Sequence, residues 1–394
     1  MPALEYDVIV IGSGPAGASA AYRLARDGFK TLVLEKEKLP RYKPCGGAIT
    51  NKVFDKIEFD ITPRIQDRVT QISLAHHNRT LASLKFSESP VSLVMRDEFD
   101  NALTEHAAQA GAVVHEAEAV NEISFEANGA RVKTKAGDYA CEIIVGADGA
   151  NGITARAANL HYPRSLAAAL EVELAVSDKQ LDAWRHHIYL DFGALPYGYA
   201  WIFPKADHLS VGIGTYLRGP LYRHFAQRAG DGRADLRTRL QEWIAREPTL
   251  RDNRVLIERG HLVPLGGIRM PLHASRVVLT GDAGGLIEPF MAEGIYYAMR
   301  SGQIAAEVIG EAFRREDMDL AEHTRRVHQE FLPTFRNAAG MARFTYRFPT
   351  LSLQTVAVVP GLKNAVGQMM DGQASASGAL LQGVRILGNW LDRL

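Results

Sequence analysis

The sequence has few cysteines, no long apolar run and no excess of charge of either sign. Only two of its 394 residues are cysteines, Cys45 and Cys141, which excludes a disulfide framework and favours a reducing compartment. Acidic and basic residues number 45 each, so no nucleic-acid partner is indicated. No stretch reaches the roughly 18 apolar residues of a spanning helix. We therefore expect a cytoplasmic protein that is either free or peripheral to a membrane, and no metal site is predicted.

A dinucleotide-binding pattern opens the chain. An apolar, β-branched run at 6–11 predicts a buried parallel strand, which also leaves no room for a signal peptide ahead of it. The motif Gly12-x-Gly14-x-x-Gly17 then permits a tight turn, approach of a pyrophosphate to the backbone, and close packing of the following helix. Glu35 ends the second strand, where a carboxylate accepts hydrogen bonds from a ribose diol and repels a 2′-phosphate. The pattern predicts FAD or NAD rather than NADP.

Two later strands also end in glycine and acid. Asp148-Gly149 follows an apolar strand, at the edge where open α/β sheets bind ligands. Gly281-Asp282 follows another, and a helix is predicted to begin near Glu293-Gly294. A helix N-terminus offers unpaired N–H groups and partial positive charge to an electron-rich ring edge. Arg96 opens a further predicted helix, where it is either a ligand of a phosphate or ribose or a solvated side chain.

Two other segments have candidate substrate chemistry. The loop Lys43-Pro44-Cys45-Gly46-Gly47 places a glycine pair beside a cysteine, which suits close approach of backbone to a flat ligand. Cys45 itself is either a small buried residue or a functional thiol. Tyr199, Trp201 and Phe203 alternate along a predicted strand, so that one face has three aromatic rings. Such a face builds either a core or the wall of a cavity for a large apolar ligand.

With these segments placed, the sequence resembles FAD-dependent oxidoreductases of the glutathione-reductase type, and within them the geranylgeranyl reductase family. The loop from Lys43 to Gly47 resembles the loop that places a cysteine near the flavin in that family. Tyr199-x-Trp201-x-Phe203-Pro204-Lys205, followed by Val211-Gly212, resembles its prenyl-pocket signature. The resemblance extends to about residue 310, and the last 80 or so residues match nothing that transfers.

The resemblance implies an α/β fold: a Rossmann-like FAD-binding domain, an inserted antiparallel β-sheet substrate domain and a helical C-terminal region. The predicted FAD-binding domain is discontinuous and comprises residues 1–73, 95–162 and 262–312. The substrate domain comprises 74–94 and 163–261, and the helical region 313–394.

The resemblance also implies site residues. The glutamate would hold the adenosine ribose, and the arginine and the second aspartate, Asp282, would lie near the ribityl and pyrophosphate groups. The last helix start would face the isoalloxazine. The candidate FAD-binding residues are Gly12, Gly14, Pro15, Ala16, Gly17, Glu35, Lys36, Cys45, Gly46, Gly47, Arg96, Val120, Asp148, Gly149, Gly281, Asp282, Gly294 and Ile295. The candidate catalytic residues are Cys45, Gly46, Glu293 and Gly294, and the candidate substrate-binding residues are Tyr199, Trp201, Phe203 and Pro289.

The implied activity is reduction of carbon–carbon double bonds in a polyprenyl chain by reduced FAD. The prenyl group could be attached to a phospholipid, a diphosphate, a chlorophyll-type ring or a quinone, and the electron donor is either NADPH or ferredoxin. A monooxygenase, either hydroxylase or epoxidase, is the main alternative. A flavin halogenase fits less well because Tyr199 and Phe203 follow the reductase pattern. A non-enzymatic prenyl-binding protein also fits less well, because it would not need the intact set of Gly12, Gly14, Gly17, Glu35 and Asp282. Whether the protein is a monomer or a dimer stays open.

Overall fold

The computed structural model describes residues 4–160, 164–222, 236–267, 269–359, 362 and 367. The chain divides into two compact units. The first unit comprises 1–43, 96–164 and 264–333, and the second comprises 44–95, 165–263 and 334–394.

Strands and helices alternate along the segments of the first unit, whereas strands predominate in the second unit. The described strands are β1 (Tyr6–Ile11), β2 (Thr31–Leu34), β3 (Ala48–Thr50), β4 (Ile65–Val69), β5 (Gln71–His76), β6 (Arg79–Lys85), β7 (Val91–Val94), β8 (Val113–His115), β9 (Glu122–Glu126), β10 (Gly129–Lys133), β11 (Asp138–Gly146), β12 (Ser165–Ala175), β13 (His187–Asp191), β14 (Gly198–Pro204), β15 (His208–Arg218), β16 (Arg254–Leu265), β17 (His273–Ala274) and β18 (Val277–Leu279). The described α-helices are α1 (Pro15–Arg26), α2 (Arg96–Gln109), α3 (Thr154–Ala157), α4 (Asp178–Asp182), α5 (Leu236–Arg246), α6 (Ile295–Arg315), α7 (Ala321–Arg347) and α8 (Pro349–Val358).

The first unit is built on a mainly parallel sheet in the order β17-β18-β11-β1-β2-β8, with β9 and β10 added beside β11. Strand β1 lies parallel between β2 and β11, and β11 is parallel to β18. Val8, Ile9 and Val10 are completely buried, as a strand covered on both faces requires. Since parallel strands end at the same edge, the turns after β1, β2, β11 and β18 meet there.

Helices α1 and α6 pack closely in the first unit. A Cβ atom on Gly302 of α6 would lie 2.1 Å from the carbonyl oxygen of Ala16. Only glycine allows this approach of the two backbones. The contact packs the N-terminal half of α6 against the start of the helix that follows the glycine motif.

The second unit contains a seven-stranded sheet in the order β16-β12-β15-β14-β13-β5-β6 and a small sheet in the order β3-β7-β4. Strand β14 is central and pairs antiparallel with β13 and β15. One core cluster on this sheet includes Ile202, Val211, Trp184 and Trp243. The aromatic strand identified in the sequence is therefore a central, well-anchored element.

The predicted α/β fold, with a Rossmann-type domain, antiparallel sheet and C-terminal helices, is confirmed. Two predicted boundaries differ from the structural division. The boundary at 73/74 falls inside β5, whereas the division lies at 43/44, because β3, β4 and β7 form one sheet. The boundary at 312/313 falls inside α6, and the division lies at 333/334.

The C-terminal region is helical over α7 and α8. Leu380, Leu387 and Leu391, whose spacing in the sequence predicts one apolar face of a helix, lie outside the described residues. None of the described helices has both the length and the apolar character needed to cross a bilayer.

Candidate functional site

The glycine motif forms the turn between β1 and α1. Gly12 has φ +96°, and a Cβ atom there would lie 2.5 Å from the carbonyl oxygen of Ala147. A Cβ atom on Gly17 would lie 1.9 Å from the carbonyl oxygen of Gly12. Gly14 differs, because the nearest atom to its Cβ position is Nη2 of Arg41 at 3.6 Å. Two glycines are thus required by packing, and Gly14 leaves space faced by a guanidinium.

The N-terminus of α1 adds to this space. Pro15 is its first residue and Gly14 its N-cap, and no side chain caps the helix start. Buried Ala16 and Gly17 follow in the first turn. A helix start without a side-chain cap favours an anion.

Glu35 ends β2 as a buried carboxylate. Its Oε2 accepts hydrogen bonds from Ser13 N at 3.0 Å and Ser13 Oγ at 2.8 Å, and its Oε1 accepts from Glu37 N at 3.0 Å. Burial alone would raise the pKa of Glu35, but Arg41, whose Nε lies 3.5 Å from Oε2, and these hydrogen bonds outweigh it and lower the pKa. Glu35 therefore stays ionised, as a ligand of ribose hydroxyls should.

Arg96 opens α2 and is buried. Its Nε and Nη2 donate to the two carboxylate oxygens of Asp100 at 2.7 and 2.8 Å. Arg41 Nη1 lies 3.4 Å from Asp100 Oδ2, and Thr104 Oγ1 donates to the carbonyl oxygen of Ser13 at 3.2 Å. Arg96 thus belongs to a buried ion-pair network behind the glycine turn, and its contact with a cofactor stays a prediction.

Sequence reasoning missed several members of this network. Arg41 lies in an irregular loop whose pattern predicts no role. Asp100 stands four residues after Arg96, a spacing that brings two side chains together on a helix and could have identified the pair. Ser13 lies inside the glycine motif at a position that the motif leaves unspecified.

Asp148 lies in the turn after β11. Its Oδ2 accepts hydrogen bonds from Thr154 N at 2.9 Å and Thr154 Oγ1 at 2.8 Å. Its Oδ1 is buried and has no hydrogen-bond partner among the described residues. A buried acceptor without a donor is costly, so Asp148 fits a hydroxyl-bearing ligand. Gly149 follows with φ +76°.

The turn after β18 begins a short 3₁₀ segment at Gly281–Gly284. Gly281 has φ +51° and its N donates to Ser301 Oγ at 2.9 Å. The carboxylate of Asp282 lies 3.3 Å from Lys43 Nζ, and its carbonyl oxygen accepts from Arg164 Nη1 at 3.5 Å. Burial lowers the pKa of Arg164 even though Asp148 and Asp282 oppose this effect. Two cations and two carboxylates therefore meet at this edge, and Lys43 and Arg164 were not foreseen.

Helix α6 begins at Ile295, with Gly294 as its N-cap and no side-chain cap. The preceding loop is held by Glu288, which is buried and accepts from the backbone N of Met291 at 2.7 Å. Glu288 N donates to the carbonyl oxygen of Glu293 at 3.0 Å, and Pro289 lies within this loop. The predicted helix start is confirmed to within one residue, and hydrogen bonds of Glu288 hold the loop that precedes it.

These features of the first unit fit FAD. They are the ionised carboxylate of Glu35, the space at Gly14 before the start of α1, the buried Oδ1 of Asp148 and the start of α6. Of the remaining candidates, Lys36 is exposed and Val120 packs half-buried beside the sheet core. The structure gives neither a polar contact that would assign it to a cofactor, so both stay predictions.

In the second unit, Cys45 is half-buried within a tight loop. Its backbone N donates to Oε1 of Glu171 at 2.8 Å, and its Sγ accepts from Gly47 N at 3.4 Å. Glu171 is a buried residue of β12. Sequence reasoning missed Glu171, because no local pattern links it to a loop 126 positions earlier.

Lys205 anchors the same loop from the end of β14. Its side chain is 1% exposed, and Nζ donates to the carbonyl oxygens of Gly46 at 2.7 Å and Val94 at 3.0 Å. Gly47 has φ +67°, and a Cβ atom there would lie 2.0 Å from the Val94 oxygen. A buried ammonium thus stabilises the Cys45 loop against β7.

The aromatic residues of β14 lie on one face, as predicted. The ring of Trp201 is 6.1 Å from that of Tyr199 and 6.4 Å from that of Phe203. A Cβ atom on Gly46 would lie 2.3 Å from the Phe203 ring, and one on Gly212 would lie 2.0 Å from the Trp201 ring. Both glycines therefore make room for aromatic rings. The fold brings the cysteine loop and the aromatic strand into direct contact.

Clusters of metal-ligating side chains are absent from the part of the chain that the structure describes. No three or more histidine, cysteine or acidic side chains there are grouped to hold an ion.

Of the two free thiols, Cys141 is buried in β11, and burial raises its pKa to about 12. Cys45 is thus the more accessible thiol.

Comparisons with known proteins identify an FAD-binding family. A family model described as an FAD binding domain matches residues 5–197. The chain is 30% identical over 374 residues to the chloroplastic geranylgeranyl diphosphate reductase of Oryza sativa subsp. japonica, covering 86% of this chain and 75% of that protein. It is also 30% identical over 328 residues to digeranylgeranylglycerophospholipid reductase 3 of Methanosphaera stadtmanae, covering 79% of each.

Solved structures share the fold. A geranylgeranyl bacteriochlorophyll reductase-like protein from Thermoplasma acidophilum superposes with a TM-score of 0.79 at 22% identity, covering 99% of both chains. A flavin-dependent brominase superposes with a TM-score of 0.74 at 18% identity, covering 99% of this chain and 100% of that one. At these identities the likeness concerns the fold alone.

Proposed function

Because the chain belongs to the geranylgeranyl reductase family of FAD-dependent oxidoreductases, we propose that it saturates isolated carbon–carbon double bonds of a geranylgeranyl or related polyprenyl chain. That the protein is an FAD-dependent reductase follows from the family. The family does not identify the substrate, so the polyprenyl chain is the part that we propose. The relatives are named for a prenyl diphosphate and a prenylated phospholipid, so the prenyl chain is what they share.

The observation that supports this proposal most directly is the contact between the Cys45 loop and β14. The Gly46 backbone lies against the Phe203 ring, and Lys205 Nζ donates to the Gly46 carbonyl oxygen. An aromatic face beside a thiol suits a long apolar substrate with few polar groups. Burial of the prenyl chain contributes about 0.8 kcal/mol for each CH₂-sized unit, and we assign the aromatic contacts to Tyr199, Trp201 and Phe203.

The reaction needs a proton as well as a hydride. FAD, when bound and reduced, supplies the hydride, but an isolated alkene is a poor hydride acceptor without proton transfer. We assign to Cys45 the position nearest the reacting bond, as acid or as positioning group. The hydrogen bond from Gly47 N to Sγ and that from Cys45 N to Glu171 hold the sulfur in place. Glu293, Gly294 and Ile295 would stabilise negative charge on the cofactor through the start of α6.

The electron donor is NADPH or ferredoxin. We find no second dinucleotide fingerprint in the sequence, which agrees with transient binding of either donor. The head group could be a phospholipid, a diphosphate, a chlorophyll-type ring or a quinone, and comparison of turnover on these four classes ranks them.

The deciding experiment is anaerobic. The purified FAD-loaded protein is reduced with dithionite and mixed with geranylgeranyl diphosphate or a digeranylgeranyl phospholipid, and the lipid is analysed by mass spectrometry. We expect mass gains of two hydrogens per step, together with reoxidation of the flavin absorbance. A flavin that stays reduced until oxygen is admitted, with oxygen then appearing in the substrate, would instead establish the monooxygenase alternative. Colourless protein that binds prenyl lipid would establish a binding protein.

Replacement of Cys45 tests its role within that assay. We expect Cys45→Ala to lower turnover about 100-fold, the usual effect of losing a general acid, while FAD content stays unchanged. Cys141→Ala is the matched control, because Cys141 is the other thiol and lies buried in β11. Equal turnover and product pattern for Cys45→Ala and wild type would remove Cys45 from this role.

A further inference from the structure

The end of α7 and the helix α8 expose large apolar side chains. Phe344, Phe348, Leu351 and Val358 are 48, 49, 56 and 63% exposed, and we call them the apolar ridge. The rings of Phe344 and Phe348 lie 5.8 Å apart, one helical turn from each other. Leu351 and Val358 stand seven residues apart on one face of α8. Grouped exposure of this kind indicates an interaction surface rather than scattered surface residues.

The opposite face of α8 is firmly packed. Leu353 is 3% exposed, and the helix packs against β5 and β6. Thr350 Oγ1 lies 3.2 Å from His76 Nδ1 of β5. Since one side of α8 already covers the sheet edge, the ridge points away from the body of the second unit.

The charged residues of the chain segment that contains the ridge are all basic. Arg336, Arg343 and Arg347 are exposed on α7 at spacings of seven and four residues, which place them on one helix face. The Arg347 guanidinium lies 5.5 Å from the Phe348 ring. The sequence has no aspartate or glutamate between Glu330 and Asp371. Although the net charge of the whole chain is zero, the segment that contains the ridge is therefore basic.

We propose that the apolar ridge and its arginines form a docking surface for an anionic lipid bilayer. Aromatic and aliphatic side chains flanked by basic residues are the features of helices that lie in a membrane interface, and arginines near anionic headgroups add electrostatic attraction. A second copy of the chain fits less well, because a twofold contact through this surface would bring like charges together. The proposal concerns lipid binding and does not depend on the reaction proposed above.

The test is co-sedimentation of the full-length, FAD-loaded protein with vesicles. We expect binding to vesicles of phosphatidylglycerol and phosphatidylcholine, weaker binding to phosphatidylcholine alone, and weakening by salt. The triple variant Phe344→Ser, Phe348→Ser, Leu351→Ser should bind at least tenfold more weakly. The double variant Arg336→Gln, Arg347→Gln should lose about fivefold for each arginine, with the loss confined to anionic vesicles.

A matched control exists on β16. Val255 and Leu256 are 49 and 43% exposed, and charges of both signs flank them in the sequence, with Arg254 on one side and Glu258 on the other. Val255→Ser, Leu256→Ser should bind vesicles as wild type does. Equal vesicle binding by the ridge variant and wild type, or no binding by wild type, overturns the proposal. A dimer that the ridge variant abolishes in the absence of vesicles would assign the surface to self-association instead.

A conservative variant guards against loss of fold. Phe348→Trp keeps an aromatic ring at the ridge, and its fluorescence should be quenched by brominated lipid in the vesicles. Leu256→Trp is the control and should not be quenched. Quenching of both or of neither tryptophan contradicts docking through the ridge.

Discussion

The nucleotide region of the first unit and the Cys45 loop of the second are assembled over very different lengths of chain. Ser13 and Glu35, which are joined by hydrogen bonds, are 22 positions apart in the sequence. Lys205 reaches Gly46 across 159 positions, and Cys45 reaches Glu171 across 126. One region is a single supersecondary unit, and the other joins four separate segments. A local motif is visible in sequence, whereas a clamp of distant residues appears only after folding.

The two regions are also held together by different kinds of interaction. Gly12 and Gly17 face backbone atoms at distances that exclude a side chain, so the nucleotide turn is limited by steric contact. The Cys45 loop is held by hydrogen bonds from a buried ammonium and to a buried carboxylate. The first region should therefore be sensitive to added volume, and the second to loss of a polar partner.

The largest effect is expected from added volume in the nucleotide turn. Gly17→Ala should abolish FAD binding, because its Cβ would lie 1.9 Å from the Gly12 oxygen. Gly14→Ala should fold normally, since only Arg41 lies within 4 Å of its Cβ, but should bind FAD at least tenfold more weakly by occupying the space for a phosphate. Thermal unfolding and flavin absorbance measure both. Gly137→Ala, in the turn between β10 and β11 with open space around its Cβ, is the control that should keep its flavin.

Loss of the buried ammonium should give the next largest effect. Lys205→Met removes the donor to the Gly46 and Val94 oxygens, so the Cys45 loop should loosen and turnover should fall about tenfold, with FAD content unchanged. Lys179→Met, at an exposed lysine of the same unit, should behave as wild type. A broader distribution of partly reduced products from Lys205→Met would separate misplacement of the loop from general destabilisation. Wild-type turnover in Lys205→Met would contradict the proposal that Lys205 holds the Cys45 loop in its active position.

The smallest effect concerns pH and distinguishes the two units. His323 is completely buried in the first unit, and its Nε2 lies 3.0 Å from the Leu279 carbonyl oxygen. Burial lowers its pKa to about 4, below that of the unfolded chain. Its contribution to stability is therefore complete above about pH 6.5 and is lost as pH falls toward 4, by up to about 1.4 kcal/mol per pH unit. His323→Gln should remove this slope.

His208 in the second unit should respond with the opposite sign. Burial lowers its pKa, but Glu173 and Asp207, at 3.2 and 2.6 Å from its ring nitrogens, outweigh burial and raise it. Its stabilisation is present below about pH 6.5 and is lost as pH rises through the raised pKa. Hydrogen exchange, corrected for its intrinsic pH dependence, should show β18 losing protection relative to β15 between pH 6.5 and 5. Parallel changes in both strands would contradict this assignment.

Much of the fold followed from short-range patterns. The apolar run before Gly12, the helix start at Pro15 and the acid at Glu35 each lie where the sequence predicts them. The start of α6 at Ile295 was predicted to within one residue. Domain boundaries were predicted less well, because β3, β4 and β7 join segments whose pairing no local pattern reports.

What the sequence by itself determined is the set of local constraints: glycines where backbones touch, β-branched runs that need two covered faces, and an acid at the end of a strand. These depend on neighbours within about 30 positions and on backbone sterics. Only the tertiary structure decided that Arg41 reaches Asp100, that Lys205 and Glu171 hold the Cys45 loop, and that the surface around Phe348 stays outside the core. The reason is that burial of a polar group becomes favourable only when a partner is present, and the sequence does not say which distant residue the fold will bring to it.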